Sequence, residues 1–223
     1  MTGGPWDGVI FTPDNEPYLG RQLLKDLDDL IIACLESNSQ IARHTHQIAQ
    51  RTDLQDAACV LISQGVNLAL AIRELVRQGY LFAAKVLLRP LVERSVTILY
   101  LCENPAKMEI WNSGWSHRER PTLARMMDSI NATLLGEKYG PDIGRKMTSA
   151  LNSLTHGDPA SGFWNMIVTS DGTAGYGVSK NLGSPNLCDE ICAETIPFLA
   201  LLLGMMHRIF PDAEQALIQP RVN

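Results

Sequence analysis

Apolar residues recur at helical spacing along most of the chain. Over residues 21–50, Leu23, Leu24, Leu27, Leu30, Ile31 and Cys34 share one face, while Asp26, Asp28 and Asp29 fall on the other. The Ser-Asn-Ser-Gln stretch at 37–40 is expected to bend or interrupt this helix. A second helix is predicted over 53–78, with Asp53 as its N-cap, a stripe including Leu54, Ala58, Leu61, Ile62, Ile72 and Val76, and Gly79 as its stop. Residues 80–103 are apolar almost all round, which predicts a central helix packed on several sides and ended by Asn104-Pro105. Further helices are expected near 122–138, 141–155 and 185–210, the last opened by Ser184-Pro185. Residues 163–180 break the helical pattern, and β-rich ends around Asp171-Gly172 predict a short hairpin.

The predicted fold is therefore all-α: a bundle of five to six helices around the apolar helix at 80–103, with one short β-hairpin inserted at 163–180. Glycines and prolines make residues 1–19 an extended N-terminal arm, and residues 20–215 a single helical domain. With 45% hydrophobic and 19% charged residues in 223, the chain has the composition of a packed protein rather than a disordered one. Its net charge of −5 argues against broad capture of a polynucleotide backbone and restricts any such contact to a local basic patch. Five scattered cysteines read as buried thiols, not as a disulfide framework.

The N-terminal stretch lacks the basic and apolar regions of a signal peptide. Residues 80–102 are interrupted by Lys85, Arg89, Glu93 and Arg94, and residues 196–206 fall short of the about 20 needed to span a bilayer. A cytoplasmic protein without membrane contact is the expectation.

Two groups of polar residues break the local rules. Arg89 and Glu93, at i and i+4 in the apolar helix, share a face with Lys85 one turn earlier. Charges so placed need partners or a cavity. Pro90 between them leaves the Val86 carbonyl without its helical donor and predicts a kink. The second group is Asn152-Ser153-Leu154-Thr155-His156-Gly157, where His156 closes a helix and Asn152 and Ser149 lie on roughly its face. Histidine is the side chain best suited to proton transfer near neutral pH. No metal site is expected: His44 and His46 point apart on a helix, and Cys188 with Cys192 lacks a second pair. No phosphate loop, nucleophile elbow or cofactor motif is present, so no cofactor is expected.

The segment YLFAAKVLLRPLVERSVTILYL resembles a signature of uncharacterised bacterial helical proteins. These carry an Arg-(Pro)-x-x-Glu…Tyr-Leu helix and, farther on, a Ser-x-x-(Ser/Thr)-His-Gly segment. Arg89, Glu93, Tyr100-Leu101 and Ser153 or Asn152 with His156-Gly157 are the matching positions, over roughly residues 54–160. Such proteins look distantly like the HEPN superfamily of helical nucleotide- or RNA-binding domains, many of them in phage defence and toxin–antitoxin systems. The usual ribonuclease motif of that superfamily, an Arg followed four to six residues later by His, has no counterpart: Arg145 and His156 are too far apart, Arg43 and His44 or His46 too close.

Two readings follow, and the residues alone do not decide between enzyme and non-enzyme. The first is an interaction module, in bacterial stress or phage defence, whose Arg89, Glu93 and His156 form a structural cluster. The second is a HEPN-like ribonuclease or nucleotide-binding toxin. There His156 would be the acid/base, Arg89 would stabilise phosphate charge, Glu93 would orient the arginine, and Lys85, Asn152 and Ser149 would bind RNA or nucleotide. Either reading brings Arg89, Glu93 and His156 together from two helices. A homo-oligomer is also expected, because Trp111, Trp115 and residues 201–206 offer surplus apolar surface.

Overall fold

The computed structural model describes residues 16–47, 50–116, 118–134, 140, 142–168, 172–176 and 180–213. The expected arm at 1–19 lies outside these apart from its last four residues. Eight α-helices are present among the described residues: α1 (Gln22–Gln47), α2 (Asp53–Arg77), α3 (Leu81–Val86), α4 (Leu88–Glu103), α5 (Met108–Asn112), α6 (Leu123–Leu134), α7 (Ile143–Thr155) and α8 (Pro185–Ile209). Six of these span twelve residues or more and make the bundle. Two three-residue strands, β1 (Met166–Val168) and β2 (Ala174–Tyr176), pair antiparallel, with Met166 opposite Tyr176. The fold is all-α. Most of the turn expected around Asp171-Gly172 lies outside the described residues.

Helix α1 runs unbroken through Ser37–Gln40, against the expected interruption. Ser39 Oγ donates back to the Leu35 carbonyl (2.9 Å), and Ser63 of α2 donates to Asn38 Oδ1 (3.3 Å). These polar side chains find partners without leaving the helical conformation. The N-cap of α2 is Thr52, not Asp53. Its side chain accepts from the Gln55 N–H while Gln55 Oε1 accepts from the Thr52 N–H, a reciprocal capping box that leaves Asp53 free to complement the dipole. At the other end Gly79 adopts φ +78°, and Tyr80 N–H reaches the Leu75 carbonyl while Gly79 N–H reaches Val76. That is the Schellman pattern.

The helix expected over 80–103 is two helices divided at Leu87. Pro90 has no N–H for the Val86 carbonyl, so the ladder is interrupted there and restarts with Pro90 in the first turn of α4, where a missing donor costs little. Within α4, Leu91, Val92 and the run from Ser95 to Leu101 are buried, and α4 packs against α2, α6, α7 and α8. The prediction that this segment forms the centre follows from its lack of a polar face, and the packing agrees with it. Buried hydroxyls on the central helices bond back to their own carbonyls: Ser95 to Leu91 (2.9 Å) and Thr195 to Ile191 (2.7 Å).

Helix α8 lies against α1, α2, α3 and α4. It approaches α2 so closely at Gly65 that a Cβ there would strike Leu202. Leu202, Met205 and Met206 are buried, and Leu201, Leu203, Trp111 and Trp115 pack against the same core. The apolar surface that suggested an oligomer is thus largely covered within the chain itself. Helix α2 is long and apolar enough, by length and composition alone, to cross a membrane. Its Ala58, Leu61, Ile62, Ala69 and Ile72 are buried in the bundle.

Candidate functional site

Helix α7 carries two adjacent polar stripes. Thr148, Asn152 and His156 recur at four-residue intervals on one, and Arg145, Ser149 and Ser153 on the next. The helix can present them because it lies close on α6. Gly144, at its start, donates its N–H to Asp128 Oδ1 (2.9 Å), and a Cβ on that glycine would strike the Ala124 carbonyl. At its end the His156 N–H bonds the Asn152 carbonyl (2.9 Å), Gly157 turns at φ +69°, and the Asp158 N–H closes back on Ser153 (3.2 Å).

Between α6 and this end of α7 lies a depression of about 420 Å³, lined by Ala124, Arg145, Thr148, Ser149, Asn152, Ser153, His156 and Asp158. Two of the lining side chains carry a buried oxygen without a hydrogen-bond partner, Thr148 Oγ1 and Asn152 Oδ1. Buried polar atoms are normally satisfied, so two orphans on one stripe mark the place where a ligand's polar groups would be rewarded. Arg145 sits at the rim, three-quarters exposed and paired with Asp142 at 3.2 Å. His156 is exposed, and among the described residues no side-chain hydrogen bond fixes its imidazole.

Arg89 and Glu93 form a second group on α4. Arg89 Nη2 lies 3.4 Å from Glu93 Oε1, on the shared face that their spacing requires. Two cations absent from the sequence prediction join them. Arg94 Nη1 and Arg120 Nη2 each stand 3.7 Å from Glu93 Oε2. Arg94 is steadied by Gln64 of α2, whose Oε1 accepts from its Nε at 2.7 Å. Arg89 Nη1 is buried without a partner.

Lys85 belongs to neither group. It is 5% exposed, and its ammonium bonds Glu190 Oε1 (2.7 Å) and Glu194 Oε2 (2.6 Å) on α8 while standing 4.8 Å from the centre of the Trp164 ring. Its charge is met by two carboxylates and an aromatic face, and it ties α3 to α8 and to the segment Pro159–Asn165. Two of its three ammonium donors are thereby engaged within the fold.

Of the six residues singled out in the sequence, Ser149, Asn152 and His156 line one depression, Arg89 and Glu93 pair on α4, and Lys85 faces α8. No direct hydrogen bond or ion pair among the described residues joins His156 to Arg89 or Glu93. Four-residue periodicity could have revealed Thr148 from Asn152, and Glu190 with Glu194 as a matched acidic pair. Nothing local in the sequence points to Arg120, which reaches Glu93 only through the tertiary fold.

The site and fold define an all-helical protein with a polar depression on one helix and an arginine cluster on another. Residues 55–134 match a family of unknown function, DUF5677, to which that part of the chain is similar. The matched segment runs from α2 to α6; it includes Lys85, Arg89, Glu93, Arg94 and Arg120 and stops before Ser149, Asn152 and His156. No curated protein and no solved structure matches the chain.

Proposed function

We propose that this chain is a helical binding protein that takes a nucleotide-class ligand in the α7 depression, and that it binds rather than cleaves. The observation that carries the reading is the pair of orphaned oxygens, Thr148 Oγ1 and Asn152 Oδ1, on side chains that line a depression of about 420 Å³. That volume lies in the range of small-molecule sites. Asn152 Oδ1 accepts a ligand N–H or O–H, and the Thr148 hydroxyl both donates and accepts, as base and sugar groups demand. Arg145 and His156 at the rim supply donors for a phosphate. The HEPN resemblance supports the same ligand class, and with it a place in bacterial stress or phage defence.

Binding without cleavage is favoured because a general base needs an orienting partner. Among the described residues no side chain bonds the His156 imidazole, and Arg89 pairs with Glu93 instead. A second reading, an interaction module in which these polar groups only hold helices together, draws on Lys85, whose charge is wholly consumed inside the fold.

Calorimetric titration with the common ribonucleoside monophosphates tests the proposal. At least one should bind. Asn152→Ala and the isosteric Thr148→Val should weaken it by about tenfold each, the cost of a buried hydrogen bond, with melting unchanged. No binding by any nucleotide, or equal binding by both variants, would leave the interaction-module reading standing.

A further inference from the structure

We propose that Arg89, Arg94 and Arg120 form a phosphate-binding site for which Glu93 is the built-in counter-ion. Three guanidinium groups face one carboxylate, so the cluster carries surplus positive charge within a chain of net charge −5. The approaches to Glu93, at 3.4, 3.7 and 3.7 Å, are all longer than the roughly 2.7–2.9 Å of a charge-assisted hydrogen bond. Glu93 divides its attraction among three partners and saturates none of them. Arg89 Nη1 is buried with no partner at all, a costly state for a charged donor.

The cluster is also built and reachable. Gln64 holds the Arg94 side chain through its Nε, leaving the other nitrogens of that fork to face Glu93. The side chains of Arg94 and Arg120 are 32% and 46% exposed, so an anion reaches them from solvent, while Arg89 at 25% forms the floor. Three arginine forks of fixed geometry suit the oxygens of a phosphate group far better than a point charge does. The entering phosphate takes over the donors that Glu93 holds loosely and supplies an acceptor for Arg89 Nη1. The same chemistry is offered by free phosphate and by the backbone of a single-stranded RNA. This site is independent of the α7 depression, so either can fail without the other.

The test uses the full chain and two probes: inorganic phosphate, titrated calorimetrically against chloride at matched ionic strength, and a fluorescently labelled single-stranded RNA oligomer followed by anisotropy. The wild type should bind at least one. Binding of phosphate alone assigns the site to the free anion; binding of RNA, weakening as salt rises, assigns it to the backbone. The variant R94A/R120A should lose about tenfold or more in affinity for the probe that binds. Glu93→Gln, which removes the competing carboxylate but keeps its shape, should tighten binding. Should the double variant lose its fold, Arg120→Ala alone carries the test, since Arg120 lies ahead of α6 on an exposed segment. Binding of neither probe by the wild type, equal binding by the arginine variants, or weaker binding by Glu93→Gln would overturn the proposal.

Discussion

Lys85 Nζ stands 2.6 Å from Glu194 Oε2, and this contact fastens the first half of the broken central helix to α8. The ammonium is nearly sealed from solvent while both its carboxylate partners are about half exposed, so the two sides of the clamp respond unequally to mutation. Glu190→Gln or Glu194→Gln alone leaves one partner and should cost under about 1 kcal/mol. E190Q/E194Q strands the buried cation and should cost about 3 kcal/mol, whereas Lys85→Met removes the charge itself and should be near neutral. Urea midpoints of the four proteins check the order. A Lys85→Met variant less stable than E190Q/E194Q would show that the clamp stabilises by more than mutual neutralisation.

Gly144 sets the distance between α6 and α7. Helix propensity alone favours Gly144→Ala by up to about 1 kcal/mol. The added Cβ would strike the Ala124 carbonyl and lie 2.7 Å from Asp128 Oδ1, and a backbone carbonyl inside a helix cannot swing aside. Overpacking of this kind costs about 1–3 kcal/mol. Net destabilisation is expected, together with weaker ligand binding in the depression, because Ala124 lines it. Gly204, where a Cβ meets nothing, is the control: Gly204→Ala should be neutral or stabilising by thermal melting.

Much of the helical layout is written in periodicity, because burial of one face is a local property of a helix. The stripe through Leu24, Leu27, Ile31 and Cys34 predicts α1, and all four are buried. What periodicity misses is where a helix restarts. Residues 80–103 read as one apolar run, and the division at Leu87 comes from a single missing N–H at Pro90. The site was legible in the same uneven way. Ser149, Asn152 and His156 share a surface because they share a helix. Arg89 and His156 lie on different helices, and buried charge demands a partner without specifying which: Glu93 answers for Arg89, and Arg94 and Arg120 approach the same carboxylate.

Alkaline pH should unfold the protein cooperatively. Burial pushes the Tyr18 hydroxyl up to about 12 and the Cys34 thiol up to about 12, from ordinary values of 10.0 and 9.0. Tyr18 donates to the Asn181 carbonyl, and Cys34 lies 3.8 Å from the Leu199 carbonyl. Both groups stay protonated in the native chain and ionise earlier in the unfolded one. Their contribution is therefore complete below pH 9 and is lost as pH rises toward 12. Urea midpoints should fall across that window. Tyr18→Phe should flatten the fall above pH 10, and Cys34→Ala should flatten it from pH 9.

Among the described residues His156 makes no direct hydrogen bond or ion pair to Arg89 or Glu93, and this makes a final prediction sharp. Glu93 offers two oxygens to three guanidinium groups, and its side chain is 20% exposed, so Glu93→Ala leaves the arginines facing one another in a half-buried setting. A fully buried pair broken this way costs about 3–5 kcal/mol; with solvent reaching Arg94 and Arg120, about 1–3 kcal/mol is expected. His156 is exposed and bonds no side chain among the described residues, so His156→Ala should change stability by less than about 0.5 kcal/mol. If the two positions share no interaction, their effects add, and the coupling energy of the Glu93→Ala/His156→Ala cycle stays within about 0.5 kcal/mol of zero. Chemical denaturation of the wild type, both single variants and the double variant measures it directly. A coupling energy above about 1 kcal/mol would mean that His156 and Glu93 act as one cluster, through a bridging water or a shared shift of α7, as the joint site expected from the sequence requires.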